Sequence, residues 1–271
     1  MIRILIFCQA IVVAAPFLYA QQVEIVPKKT DDNQIQIFIK NGTKQAHSVE
    51  LDCELKGMKA SDSLPITLFI PPNGELSFVK LKPIDIYKAH SYATSIRYVV
   101  GDVSAVHNDS TIYYLPFPKG KKYRVDQGYL GTKTHQNQYA LDFNMDEGAE
   151  IAAIRSGVVT KVVENNDRGC PSESCTQFNN YILITHKDGS IADYSHLRKN
   201  GAKVKVGDEV NVGDVIALSG ATGWASGAHL HLEVYTMTWE GQKTIPVNYY
   251  LDKEKNGVPE EGQGYTQLYS N

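Results

Sequence analysis

His229 and His231 stand two residues apart in Gly227-Ala228-His229-Leu230-His231-Leu232-Glu233-Val234. They follow the small-residue loop Ser219-Gly220-Ala221-Thr222-Gly223-Trp224-Ala225-Ser226. The alternation predicts a strand, and strand side chains alternate faces. The two imidazoles therefore project to one side, and Leu230 and Leu232 point to the other, into a core. Two imidazoles on one rigid face suit a metal ligand beside a proton-transfer group. His-x-His also occurs on ordinary solvated strand faces, so the motif gains meaning only from partners elsewhere in the chain.

Three further residues are candidates for that partnership. Asp142 lies in Tyr139-Ala140-Leu141-Asp142-Phe143, and an acid among apolar neighbours calls for a partner or a metal. His135 lies seven residues earlier, after the loop Gln127 to Thr134. His196 lies in Asp193-Tyr194-Ser195-His196-Leu197. Two His with one carboxylate form an accepted ligand set for catalytic zinc, with the fourth position left to water.

The order His…Asp-Phe, Tyr-Ser-His-Leu, Val-Gly-Asp-Glu-Val-Asn-Val-Gly-Asp-Val-Ile-Ala-Leu-Ser-Gly and His-Leu-His-Leu-Glu-Val resembles the lysostaphin/LytM family of zinc metallopeptidases. The likeness covers roughly residues 124–237. It implies a LytM-type antiparallel β domain related to the duplicated hybrid motif. It also implies one Zn2+ per chain and hydrolysis of peptide cross-links or stem peptides of bacterial peptidoglycan. By position, Asp142 and His231 match metal ligands, and His196 and His229 match the catalytic histidines. The family's other ligand stands four residues before the Asp, where this chain has Gln138. His135 is expected to take its place, the three extra residues bulging outward. Gln138 also prompts a second reading, a catalytically inactive module that binds cell wall or regulates another wall hydrolase.

With those ligands a metal lowers the pKa of water and polarises a scissile carbonyl. His229 is expected to act as general base and His196 as transition-state stabiliser, or the two with their roles exchanged. Ligating imidazoles need outer acceptors, and Glu233 or a backbone carbonyl suits that purpose. Gly223 and Trp224 are expected to meet substrate, the glycine by leaving space and the indole by stacking. His186, at a strand end, reads as structural or cleft-lining.

The elements that position these residues are all β. Over residues 21–115 Ile35, Ile37 and Ile39 alternate with polar residues, as do Val49, Leu51, Cys53 and Leu55. The turns Asn41-Gly42 and Pro71-Pro72-Asn73-Gly74 separate such runs. This predicts an immunoglobulin-like β-sandwich with no catalytic constellation of its own. Cys53 is expected to be a buried free thiol. Residues 116–122, with Pro116, Pro118 and three lysines, read as a linker. Residues 123–251 form the second, Gly-rich β domain, and 252–271 a polar tail. Lys205 to Ile216 contains a local repeat, Val-Gly-Asp twice, read as two similar hairpin arms.

Residues 1–20 carry Arg3, then an almost wholly apolar run, then Ala20. That pattern is a secretory signal peptide, too short for a membrane span. It implies the periplasm or cell envelope, where Cys170 and Cys175, five residues apart, are expected to pair. A net charge of -3 lacks the basic surface that nucleic-acid binding requires. The partners expected are peptidoglycan peptides, together with an envelope protein bound through residues 21–115.

Overall fold

The computed structural model describes residues 6–7, 23–30 and 33–268. The segment expected to be a signal peptide, residues 1–20, lies outside them, apart from Ile6–Phe7, which pair with Thr94 and Ala93. The fold is all-β. The chain forms two compact units, residues 1–103 with 237–241 and residues 104–236 with 242–271.

The first unit contains two four-stranded antiparallel sheets. One runs Ile6–Phe7, Ser91–Val100, His47–Lys56, Ile66–Ile70, and the other Val23–Lys29, Ile35–Asn41, Glu75–Pro83, Met58–Ala60. Ile37, Ile39, Val79 and Leu81 from one sheet share a core with Val49, Leu51 and Ile70 from the other. The period-2 alternation therefore produces a two-sheet sandwich, as face-to-face packing of half-apolar sheets requires. The immunoglobulin-like likeness rests on the sequence pattern alone. Cys53 is a free thiol, half-buried against this core.

The second unit is built on a nine-stranded sheet. Its order is Glu209–Val210, Gly157–Val163, Tyr181–Thr185, Ile191–Ser195, His229–Thr238, Ala140–Asn144, Lys122–Gln127, Gly264–Thr266, with Gly241–Thr244 beside His229–Thr238. Leu141, Phe143, Ile182, Ile184, Ala192, Tyr194, Leu230, Leu232 and Val234 are buried in its core. Burying each leucine contributes about 2 kcal/mol. A one-residue slip would send these side chains to the other face and the histidines into the core, so burial enforces the register.

Several expected boundaries move. Leu115 and Phe117 are fully buried in the second unit's core, so the Pro-rich stretch is packed chain, not a solvated linker. Within the stretch read as part of the sandwich, Ile112–Tyr113 pair in parallel with Asn248 and Tyr249 of the second unit. The expected tail supplies an edge strand, with Tyr265 opposite Tyr123. Gln267 is buried and donates to the Leu115 carbonyl at 2.7 Å. Its polar composition hid a segment that is anchored through its backbone.

The Val-Gly-Asp repeat forms two matching capped turns, not two hairpin arms. Asp208 Oδ2 accepts from Lys205 N at 2.9 Å, and Asp214 Oδ2 accepts from Asn211 N at 2.8 Å. Among the described residues the helical content is one 3-10 turn, Glu173–Phe178, capped by Ser172. No helix there is long and apolar enough to cross a membrane.

Candidate metal centre

Two of the candidate ligands face each other across neighbouring strands. Asp142 is the direct partner of His231, and His231 is also the partner of Ser195. Directly opposed side chains share a face at Cβ separations of about 5 Å. The sheet therefore presents Asp142, His231 and Ser195 as one row. Leu141, Leu230, Leu232 and Tyr194 occupy the opposite face.

His135 joins from a loop. Gln138 N donates to His135 O at 3.0 Å, closing a turn in which Asn137 takes φ +61°. The turn absorbs the longer spacing. His135 is completely buried, while Gln138 lines the wall of the neighbouring cavity. His135 Nε2 lies 3.2 Å from Asp142 Oδ1 and 3.2 Å from His231 Nδ1. His231 Nδ1 lies 3.0 Å from the same Asp142 oxygen. His135, Asp142 and His231 thus form a group able to hold a metal ion.

Each ligand candidate is held from behind. His135 Nδ1 is 3.1 Å from the Gly128 carbonyl, to which it donates in the tautomer that leaves Nε2 free. His231 Nε2 faces Glu233 Oε2 at 3.8 Å. Asp142 Oδ2 accepts from Gln127 Nε2 at 3.1 Å. Glu233 and a carbonyl are the kinds of outer acceptor expected from the sequence. Without a metal, burial pushes the Asp142 carboxyl up, but hydrogen bonds from His135 and His231 outweigh it and hold it well below the usual range. Burial likewise pushes His231 down, and its contacts with Asp142 and Glu233 outweigh that and hold it above an ordinary imidazole. The cluster gathers negative charge that a proton or a cation must balance.

The two remaining histidines flank the trio. The His229 and His196 rings are 4.6 Å apart, and the His196 ring is 5.8 Å from His231. His229 Nδ1 sits 2.9 Å from the Gly227 carbonyl, and its Nε2 is 3.9 Å from Asp142 Oδ1. His196 Nδ1 sits 2.8 Å from the Thr222 carbonyl. In the neutral form each ring places its proton on Nδ1 and leaves Nε2 as the base atom. Burial first, then the neighbouring rings of His229 and His231, push His196 down to about 3.

His196 has φ +66°, an unusual backbone conformation for a non-glycine residue. Asn179 supports it, its Oδ1 accepting from His196 N at 2.9 Å and its Nδ2 donating to Ser195 Oγ at 2.9 Å. Sequence reading missed both Asn179 and Gln127. Each is an ordinary amide in a loop or at a strand end, and only the fold shows what it touches.

Two cavities, of about 320 and 270 Å³, flank the centre. Asp142, Thr134, His229 and Trp224 line both. Trp224 is 41% exposed at their junction, a surface open to stacking. Gly223 precedes it. It is buried with φ +80°, and a Cβ there would lie 2.9 Å from Asn179 Cα. Positive φ and close packing against Asn179 both call for glycine at this position. The Cys170–Cys175 disulfide is present, and Gly169–Cys170 pair in parallel with Gly223–Trp224. His186 is buried away from the centre, its Nδ1 3.0 Å from the Ser156 carbonyl.

Residues 136–246 match the model of Peptidase family M23. That segment contains Asp142, His196, His229 and His231, and begins one residue after His135. An uncharacterized metalloprotease of Buchnera aphidicola subsp. Baizongia pistaciae is 36% identical over 128 residues, 45% of this chain and 31% of that protein. Lysostaphin of Staphylococcus staphylolyticus is 31% identical over 131 residues, 48% of this chain and 24% of that protein. Peptidoglycan DD-endopeptidase ShyB of Vibrio cholerae is 31% identical over 160 residues, 52% of this chain and 35% of that protein. The chain thus matches between 24% and 35% of the length of these relatives. The likeness to Peptidase family M23 thus lies in residues 136–246, with Asp142 and the His-x-His strand inside them.

Proposed function

We propose that the second unit is a zinc-dependent endopeptidase that hydrolyses peptides of bacterial peptidoglycan. The observation that carries this reading is the triangle of His135 Nε2, Asp142 Oδ1 and His231 Nδ1, with edges of 3.2, 3.2 and 3.0 Å. Ligands at ~2.0–2.1 Å from a tetrahedral zinc stand about 3.3 Å apart. The donor set, two imidazole nitrogens and one carboxylate oxygen, suits zinc. Relatives named lysostaphin and peptidoglycan DD-endopeptidase support the substrate class.

In this reading His135, Asp142 and His231 hold the zinc. When bound, it supplies Lewis acidity, activating a water and polarising the scissile carbonyl. His229 Nε2 takes the proton of the attacking water, because its Nδ1 is committed to Gly227. His196 is anchored through Nδ1 to Thr222. Its part in this reading is to stabilise the transition state beside His229. The two cavities take the peptide on either side of the scissile bond, with Trp224 stacking between them.

An exported location belongs to the same proposal, supported by the signal-like residues 1–20 and the disulfide. Residues 21–115 are proposed to engage an envelope protein. Gln138 had prompted the inactive-module reading, and the convergence of His135 on Asp142 and His231 favours the enzyme.

The test is zinc content together with digestion of purified muropeptides, on the wild type and His135→Ala. One zinc per wild-type chain, with metal and cleavage both lost in the variant, is the expected result. A folded wild type that binds no zinc from a buffered solution overturns the reading.

A further inference from the structure

The long spacing between His135 and Asp142 raises a physical problem. Asp142 and His231 are fixed by the sheet ladder, whereas His135 sits on a loop. A loop ligand must be ordered before it can help a site, and ordering costs roughly 1–2 kcal/mol per residue. Something must hold residues 133–135 in place.

One buried side chain meets that need. Gln127 ends the Lys122–Gln127 strand and is 3% exposed. Its Oε1 accepts from Lys133 N and Thr134 N, both at 3.1 Å. Its Nε2 donates to Thr134 Oγ1 at 2.7 Å and to Asp142 Oδ2 at 3.1 Å. Two backbone donors on Oε1 fix the orientation of the amide, so the –NH₂ end must face the carboxylate. All its hydrogen-bonding groups are used. The loop also comes close on its other side. A Cβ at Gly131 would lie 2.6 Å from Gln127 Cγ.

We propose that Gln127 is a positioning residue of the metal centre. It clamps the loop that delivers His135 and, with the same amide, orients Asp142 so that Oδ1 points at the two imidazoles. This rests on the metal-dependent reading above. Gln127 is not itself a ligand, although it lines the cavity of about 320 Å³; it acts through two ligands drawn from different elements. Outer partners of this kind are commonly worth 10- to 100-fold in metal affinity.

The test measures zinc affinity of the full chain by competition with a chelator, together with the zinc-release rate, for wild type, Gln127→Ala and Gln127→Met. The methionine variant keeps the volume and removes all four hydrogen bonds, so it serves if the alanine variant fails to fold. About 10- to 100-fold weaker zinc binding and faster release are expected. Raising free zinc should restore the lost turnover, while thermal melting of the metal-free variants separates weakened binding from general destabilisation. Wild-type affinity within about twofold in both variants overturns the proposal while leaving the metal reading intact. No zinc on the wild type overturns both.

Discussion

His135 Nε2 lies 3.2 Å from His231 Nδ1, although 96 residues separate them. Both face one oxygen of Asp142. Three nitrogen and oxygen donors held this close would repel if all were charge-bearing acceptors. The arrangement is stable only with a cation or shared protons between them.

That relationship separates His231 from His229. His231→Ala should lose zinc and activity together. His229→Ala should retain zinc and lose turnover by about 10²–10⁴-fold, the range for a general base. Metal analysis beside muropeptide digestion checks the pair. Zinc lost equally from both variants would remove the distinction between ligand and base.

The buried His186 sets a pH dependence of folding. Burial first, and then the charge of Arg155, push its pKa down to about 4, and its Nε2 is buried without a partner. The unfolded value is about 6.5. The folded state therefore resists protonation. The stability is fully present above pH 6.5 and is lost as pH falls toward 4, on the order of 3 kcal/mol in all. Asp188 contributes little across most of that window. Against the upward push of burial, hydrogen bonds from Ser190 and Arg155 hold its carboxyl at about 2. Melting temperatures of wild type and His186→Phe from pH 7 to 4 provide the check. The wild type should fall more steeply, and parallel curves would exclude His186 as the source.

Gly223→Ala should destabilise the second unit by ~2 kcal/mol or more. The cost combines positive φ with a Cβ 2.9 Å from Asn179. Because Asn179 also supports His196, turnover should drop further than zinc content. Thermal melting and turnover of the variant test both parts; an unchanged melting temperature would contradict the packing account.

The disulfide closes a loop with a sequence separation of 5, so its loss should cost only about 2 kcal/mol. Its effect on substrate should be larger, since Gly169 and Cys170 pair with the Gly223–Trp224 segment of the cleft. Cys170→Ser with Cys175→Ser should raise KM while zinc stays bound. An unchanged KM would reduce the bridge to a purely stabilising role.

Much of this was legible because it depends on local periodicity. The pleat makes His229 and His231 co-facial whatever the rest of the chain does, and apolar flanks mark Asp142 as an oddity. The sandwich strands follow from the same alternation. Residues whose meaning depends on distant partners were not legible. Gln127 and Asn179 are recognisable only once His135, Asp142 and His196 are around them. Leu115, Phe117 and Gln267 sit in stretches whose Pro, Lys and Gly content suggested exposure, yet the core encloses them. Composition reports average solvation, and burial is set by what packs on top.

The turn closed by His135 and Gln138 has a consequence for which lengths of this chain are negotiable. Upstream of Asp142 the backbone leaves the sheet, so one residue more or fewer in 136–138 changes the size of a bend and can leave His135 able to reach its neighbours. Between His229 and His231 there is no such slack. One inserted residue there would rotate His231 onto the leucine side and bring an apolar side chain to the centre. The centre thus tolerates length variation at one of its approaches and forbids it at the other.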